Sequence, residues 1–460
     1  MNPSLDVIVI GAGVSGLSLA CDLRRAGLTF VVLEKQDEPG GCAQSHTQDG
    51  FLFEKGPFNL LVRNPLFEDL LEDLKGTLEI VPPCPTAKKR ELLLGGKLEK
   101  VPSSLMEAIQ TPILSWPQKL RVLAEPLLGQ RPRNPDPTLG DIVRRRLGTG
   151  VADRVVSAIV AGVYGGDSDA LSAQACFPLL WEIDQKSSSL MLGMIRHGFQ
   201  SRGKPRRKWK GMVSFRGGLG SFCSALAGSF KESMRYRHEV VSIKQIQNGY
   251  QVQTHSPERE EVFQSKALVI AADLPAAQRL LCGWADNLAG QLSPIQSVSL
   301  AVVNVGFDPG SFPEPPEGFG FLVPKVDTET KILGILFASS VFPYQAPEGC
   351  HSLRIFVGGV RSAEWVALPE DELVQKALSE LKKYLPFSKP PIAVSVSKWP
   401  DAVPQMTPGH VSRIQHLRED LEDYDGLFLA GNYLKGVSVN DCIVNGHETA
   451  VQVVEWFKSD

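Results

Sequence analysis

The chain has 460 residues, 43% of them apolar and 22% charged, with a formal net charge of -3. That length allows two or three domains with substantial cores, and the near-neutral balance offers no global attraction for nucleic acid. Eight scattered cysteines with no CxxC pair argue against zinc and against a disulfide framework, and fit a reducing compartment.

Residues 1–34 organise the rest. Asp6-Val7 and Val9-Ile10 lie in an almost unbroken apolar run, as expected of a parallel strand buried on both faces. Gly11-Ala12-Gly13-Val14-Ser15-Gly16 follows, then a helical pattern through Leu17, Leu19, Ala20 and Leu23. A second apolar run, Phe30 to Leu33, ends at Glu34, the spacing at which a dinucleotide fold places its ribose-binding acid. Gly11 allows the tight turn, Gly13 lets backbone approach a pyrophosphate, and Gly16 lets helix and strand pack closely. The helix N-terminus offers free N–H groups to phosphates. A bare glycine turn is the plain alternative; strand, glycines, helix, strand and acid in register favour a dinucleotide site. The apolar start lacks a basic lead and carries Asp6, so it is not read as a signal peptide, and no transit peptide is visible. No run reaches transmembrane length.

Two glycine-rich loops come next, around Gly40-Gly41 and around Gly56-Pro57, and suggest more backbone lining a long cofactor. Glu91 to Leu94, Gly95-Gly96 and Lys97 to Val101 predict a hairpin. From residue 103 to about 200 apolar residues recur at helical spacing, broken by Pro112, Pro117 and Pro126, with helices expected at 138–148, 151–163 and 170–182. Arg202, Lys204, Arg206, Arg207, Lys208 and Lys210 follow without an acid. A solvated loop is the plain reading of that run; an anionic membrane surface is its competitor beside an apolar, Trp-bearing helical insert. The α/β pattern restarts at Phe215-Arg216-Gly217-Gly218-Leu219. Antiparallel strands are expected at 237–243 and 250–252, and a buried strand at 267–272. A second sheet is expected from strands at 296–306, 319–323, 331–338 and 351–358, with a helix at 369–384. A closing strand, 426–432, is followed by a helix, so the two ends of the chain are expected to build one site.

These stretches resemble the FAD-dependent amine oxidase superfamily. Within it, Gly162-Val163-Tyr164-Gly165-Gly166-Asp167, Trp399 to Gln405 with Gly409-His410, and Gly431 to Ile443 resemble the protoporphyrinogen oxidase family. The resemblance covers essentially the whole chain. It implies an α/β fold with three parts: a Rossmann-type FAD domain (1–75, 211–285 and 410–460), a mixed-sheet substrate domain (76–102 and 286–409) and a helical membrane-binding insert (103–210). It implies that Gly11, Gly13, Gly16 and Glu34 hold the FAD diphosphate and ribose. Gly41, Gly56 and Val240 would line the cofactor, Val240 by backbone contact to the adenine, and Gly431, Asn432, Val437 and Ser438 would sit near the isoalloxazine and diphosphate. Arg90 falls where the family pairs an arginine with a substrate propionate. Leu322 and Phe342 fall where side chains sandwich a pyrrole ring, with simple sheet core as the alternative, and Gly162 where backbone approaches the macrocycle. Cys42 stands where the superfamily often has arginine, and Asn432 replaces an acid of many amine oxidases. Cys442 is not at the usual attachment position, so FAD is expected to be noncovalent.

The implied reaction removes six electrons and six protons from a porphyrinogen, with hydride leaving a meso carbon for the flavin and oxygen as the expected acceptor. No acid–base pair stands out; His410 reads as a loop stabiliser, and no metal is expected. The nearest rival is coproporphyrinogen oxidation. Amine oxidases and carotenoid desaturases are further rivals, and a non-enzymatic binder of the guanine-nucleotide-dissociation-inhibitor type comes from another class. The expected partners are a porphyrinogen and a membrane surface met through the insert, with no nucleic acid and a homodimer admitted. The expected location is cytoplasmic and peripheral to a membrane, with an organelle inner membrane as the alternative.

Overall fold

The computed structural model describes residues 5–63, 65–74, 76–128, 134–200, 209 and 211–459. The strand Leu5–Ile10 lies between parallel neighbours Phe30–Leu33 and Glu260–Ile270, and Leu427–Leu429 pairs parallel with the latter. Val7 and Val9 enter one apolar cluster and Ile8 and Ile10 another, so the strand is covered on both faces and its sequence is apolar throughout. Ile10 pairs with Leu33 and Ile270, and Ile270 with Leu429. Gly11, Glu34, Ala271 and Ala430 therefore leave the sheet at one carboxyl edge, where open parallel sheets bind ligands. The helix Val14–Arg25 packs along Val439–Ser459. A Cβ on Gly16 would stand 2.1 Å from the Gly11 oxygen, and one on Gly446 2.3 Å from the Ser15 oxygen. Only glycine permits that approach, which brings the two ends of the chain together.

A second sheet runs in the order Ala393–Pro404, Ser297–Phe307, His351–Gly358, Ile332–Leu336, Gly320–Leu322, Arg90–Leu94, Lys97–Lys100. It is antiparallel except where Gly320–Leu322 meets Arg90–Leu94. Val303, Val305, Ile355 and Val357 fill one face beneath the helix Glu370–Tyr384. Asn304 and Arg354 pair across the strands and point to the opposite face, toward the main chain of Glu54.

Three observations differ from the sequence reading. The stretch after Gly50 is a strand, Phe51–Glu54, hairpinned on Ser45–Gln48. The strand read at 267–272 begins much earlier, at Glu260. The helix read at 170–182 is split into Ala173–Cys176 and Pro178–Lys186, because Pro178 cannot continue the first piece. The helices read at 138–148 and 151–163 are present, the latter opening with a π-helical turn, Val151–Val156. The basic run from Arg202 to Lys210 lies outside the described residues.

The helical segment has a small core around Ile142, Val160 and Leu171, and it also buries charge. Arg146 Nε and Arg145 Nη2 each donate to Asp184 at 2.7 Å, with Asp184 fully buried. Asp184→Ala is therefore expected to cost about 3–5 kcal/mol, because it strands a buried guanidinium. Glu182→Gln, which breaks the exposed pair with Lys186, is expected to cost under about 1 kcal/mol. Urea unfolding midpoints of the two variants check the contrast.

Candidate functional site

The groove starts at the carboxyl edge of the first sheet. Gly11 has a φ of +104°, and a Cβ there would stand 2.6 Å from the Ala271 oxygen. At Gly13 a Cβ would meet nothing within 4 Å, so this side of the turn faces open space. Gly40 N donates to Ala12 O at 2.7 Å, and a Cβ on Gly41 would lie 3.5 Å from Gly13 Cα. The second glycine loop thus rests against the first. Gly56 packs on the same loop, with its Cβ position 2.4 Å from Cys42 O. Cys42 is exposed to the groove, yet enough protein surrounds it to push its thiol above the ordinary value by burial.

Glu34 is buried and already oriented: Oε2 accepts from Ala12 N at 2.7 Å and Oε1 from Gln36 N at 2.9 Å. Each carboxylate oxygen retains lone-pair capacity for a hydroxyl. Glu34 N donates to Arg235 O and His238 N to Glu34 O, which brings the 235–240 stretch, ending in buried Val240, beside the acid. From the other end of the chain, Gly431 N donates to Asn445 Oδ1 at 2.7 Å, and Asn432 Nδ2 to Ala402 O at 3.2 Å. Ser438 Oγ donates to Asp441 Oδ2 at 2.6 Å and accepts from Asp441 N, so its hydroxyl caps the final helix. Val437 leans on the core of the helical segment.

The four residues singled out for substrate fall into two groups. A Cβ on Gly162 would stand 2.6 Å from Leu322 Cδ2, so the helix Ser157–Tyr164 touches the second sheet there without a side chain between. Arg90 opposes Gly320 and Leu92 opposes Leu322, so Arg90 lies two residues along on the Leu322 side. Its exposed guanidinium stands 5.1 Å from the Phe319 ring centroid and, among the described residues, makes no ion pair. Phe319 packs in the cluster of Phe342. Phe342 has no exposed surface and stands one layer back, 5.2 Å behind the Phe58 ring.

The joint between groove and second sheet escaped the sequence reading. Asn304 Nδ2 and Arg354 Nη2 both donate to Glu54 O at 3.1 Å, Arg354 Nη2 to Gly56 O at 2.6 Å, and Trp399 Nε1 to Lys55 O at 2.7 Å. The available signal was an arginine and an asparagine inside otherwise apolar strands. The Glu54 carboxylate turns the other way, accepting from Ser45 Oγ at 2.6 Å and Leu219 N at 2.9 Å; burial nevertheless raises it to about 7. Burial lowers Arg354 to about 10. His410 is buried, with burial lowering it to about 4 and both ring nitrogens without a partner of good geometry, so it is a neutral ring. Among the described residues no cluster of metal-ligating side chains occurs.

The family described as flavin containing amine oxidoreductase matches residues 14–454. Protoporphyrinogen oxidase 1, chloroplastic, of Arabidopsis thaliana is 30% identical over 475 residues, covering 97% of this chain and 88% of that one. Coproporphyrinogen III oxidase of Bacillus subtilis is 26% identical, covering 96% of both. A crystal structure from Exiguobacterium sp. 255-15, provisionally assigned as a protoporphyrinogen oxidase, superposes with a TM-score of 0.84 at 26% identity over 99% of each chain.

Glu54 makes stability depend on pH. Its folded-state value lies above the ordinary 4.5, so the folded protein binds this proton more tightly than the unfolded chain does. The contribution is full at low pH and is lost as pH rises from 4.5 to about 7. Glu54→Gln is therefore expected to flatten the change in urea midpoint between those two pH values, while wild type loses stability across them.

Proposed function

The chain belongs to the flavin containing amine oxidoreductase family, and from that membership we propose that it oxidises protoporphyrinogen IX to protoporphyrin IX in haem biosynthesis. It is an FAD-dependent oxidoreductase. One observation carries the site: four parallel strands end in register, setting the open turn at Gly13 and the preset carboxylate of Glu34 on one edge. In this reading Gly11, Gly13, Gly16 and Gly41 form the diphosphate cradle and Glu34 takes the ribose hydroxyls. Val240 lies under the adenine. Gly56, Gly431, Asn432, Val437 and Ser438 close around the flavin end. The residues 1–75, 211–285 and 410–460 form the cofactor part, 76–102 and 286–409 the substrate part, and 103–210 the helical part.

Bound flavin supplies a hydride acceptor; the chain's own residues orient the substrate and keep water away. The exposed Arg90 is free to take a substrate carboxylate, Gly162 and Leu322, packed on each other, form one wall for the macrocycle, and Phe342 stiffens the wall behind Phe58. The neutral, enclosed His410 is not a base in this scheme. The helical part leaves Met106, Trp116, Leu120, Leu123, Leu127 and Leu192 more than half exposed. Among the described residues no helix is long and apolar enough to cross a membrane. That exposed apolar set supports a peripheral seat on a membrane surface.

The reading is tested by anaerobic flavin bleaching and aerobic turnover with protoporphyrinogen and coproporphyrinogen side by side. Rapid porphyrin fluorescence from the first compound is expected. Preference for the second would place the enzyme with the Bacillus subtilis relative instead, and no flavin reduction by either would overturn porphyrinogen oxidation. Arg90→Ala is expected to lose about 1.5–3 kcal/mol of carboxylate binding, raising KM roughly ten- to a hundredfold, with Arg90→Lys in between. An unchanged KM in Arg90→Ala would remove Arg90 from the site.

A further inference from the structure

Arg354 is a buried charge that the proposed reaction does not use. It sits mid-strand in His351–Gly358 with 1% of its surface exposed, between Phe58 and Phe356, whose ring centroids lie 5.3 and 5.2 Å from its guanidinium carbon. Nε donates to Asn304 Oδ1 at 3.1 Å and Nη2 to the carbonyls of Glu54 and Gly56. Nη1 has no partner, and among the described residues no carboxylate reaches ion-pair distance. The carboxyl group of Glu54 faces away, toward Ser45 and Leu219. A buried cation with no direct ion pair, felt by Glu54 only at longer range, is costly and attracts negative charge.

Its surroundings identify where that charge arises. Nη2 holds the carbonyl of Gly56, Gly56 packs on the Cys42 main chain, and the adjacent Gly41 lies against Gly13 in the groove. We propose that Arg354 is a positioning residue for the flavin: its fork fixes the Glu54–Gly56 backbone, and its unpaired cation favours the electron-rich, reduced state of the cofactor. The inference rests on the flavin assignment made above. Two effects are separable, since Asn304 shares the grip on Glu54 but carries no charge.

The test is the midpoint potential of bound flavin, measured by two-electron reduction with dithionite against a reference dye, for wild type, Arg354→Met, Arg354→Lys and Asn304→Ala. Arg354→Met is expected to weaken the reduced state at least tenfold, a fall of about 30 mV for a two-electron couple. Arg354→Lys and Asn304→Ala are expected to stay within threefold of wild type. An unmoved potential in Arg354→Met overturns the proposal, as does an equal fall in Asn304→Ala, which would assign the effect to loop geometry. Should Arg354→Met bind no flavin, Arg354→Gln, which removes the charge but keeps a hydrogen-bond donor, takes its place: a fall of at least tenfold upholds the charge assignment, and an unmoved potential overturns it. Absence of flavin from wild type itself would instead sink the cofactor assignment.

Discussion

The structure depends on three consecutive carbonyls. Those of Glu54, Lys55 and Gly56 are gripped by Asn304, Arg354 and Trp399, one side chain from each of three neighbouring strands of the second sheet. Each sheet has its own apolar core and could pack without the other. A groove on one and a wall at Leu322 on the other cooperate only if their separation is fixed to a fraction of an ångström. Apolar contact is non-directional and would allow sliding. Hydrogen bonds to successive main-chain oxygens do not.

Much of this was legible in the sequence where the constraint is local. The strand, glycines, helix, strand and acid between Leu5 and Glu34 lie within one unit, and each residue type answers a steric or electrostatic need of its neighbours. Gly95-Gly96 likewise makes a turn that both flanking strands require. The strand Ala393–Pro404 was not legible, because Pro400, Asp401 and Pro404 spoil any alternation. It survives as the edge of its sheet, where proline sacrifices no ladder bond, and a bulge at Pro400–Ala402, opposite Ser299, accommodates the left-handed φ of +48° at Asp401. The first half of Glu260–Ile270 was missed for a related reason. It pairs antiparallel with one face in water, so exposed Glu260, Val262, Gln264 and Lys266 alternate with Glu261, Phe263 and Ser265, while the second half is parallel and apolar.

The candidate site divides in the same way. Glycines and Glu34 can be read from spacing, since their partners are near in sequence or are main-chain atoms. Arg354 and Asn304 cannot, because what they bind lies some 250 to 300 residues earlier. Ser438 shows the converse: the motif singles it out, but only the structure reveals that its hydroxyl and its N–H are both committed to Asp441 and its carbonyl to Cys442 N.

A hydrophobic residue in place of Arg354 would remove a desolvation cost, and cores generally prefer that exchange. Two features argue against treating the arginine as a mere stabiliser. Its neighbours Leu353 and Ile355 already supply the core on the other face, so the strand does not need position 354 for burial. Its three bonded partners, Asn304 and the Glu54 and Gly56 carbonyls, are polar groups that an apolar side chain would leave wanting. The charge and the carbonyls therefore belong to one arrangement, in which the second sheet holds the cofactor groove by a group that can also sense what the groove contains.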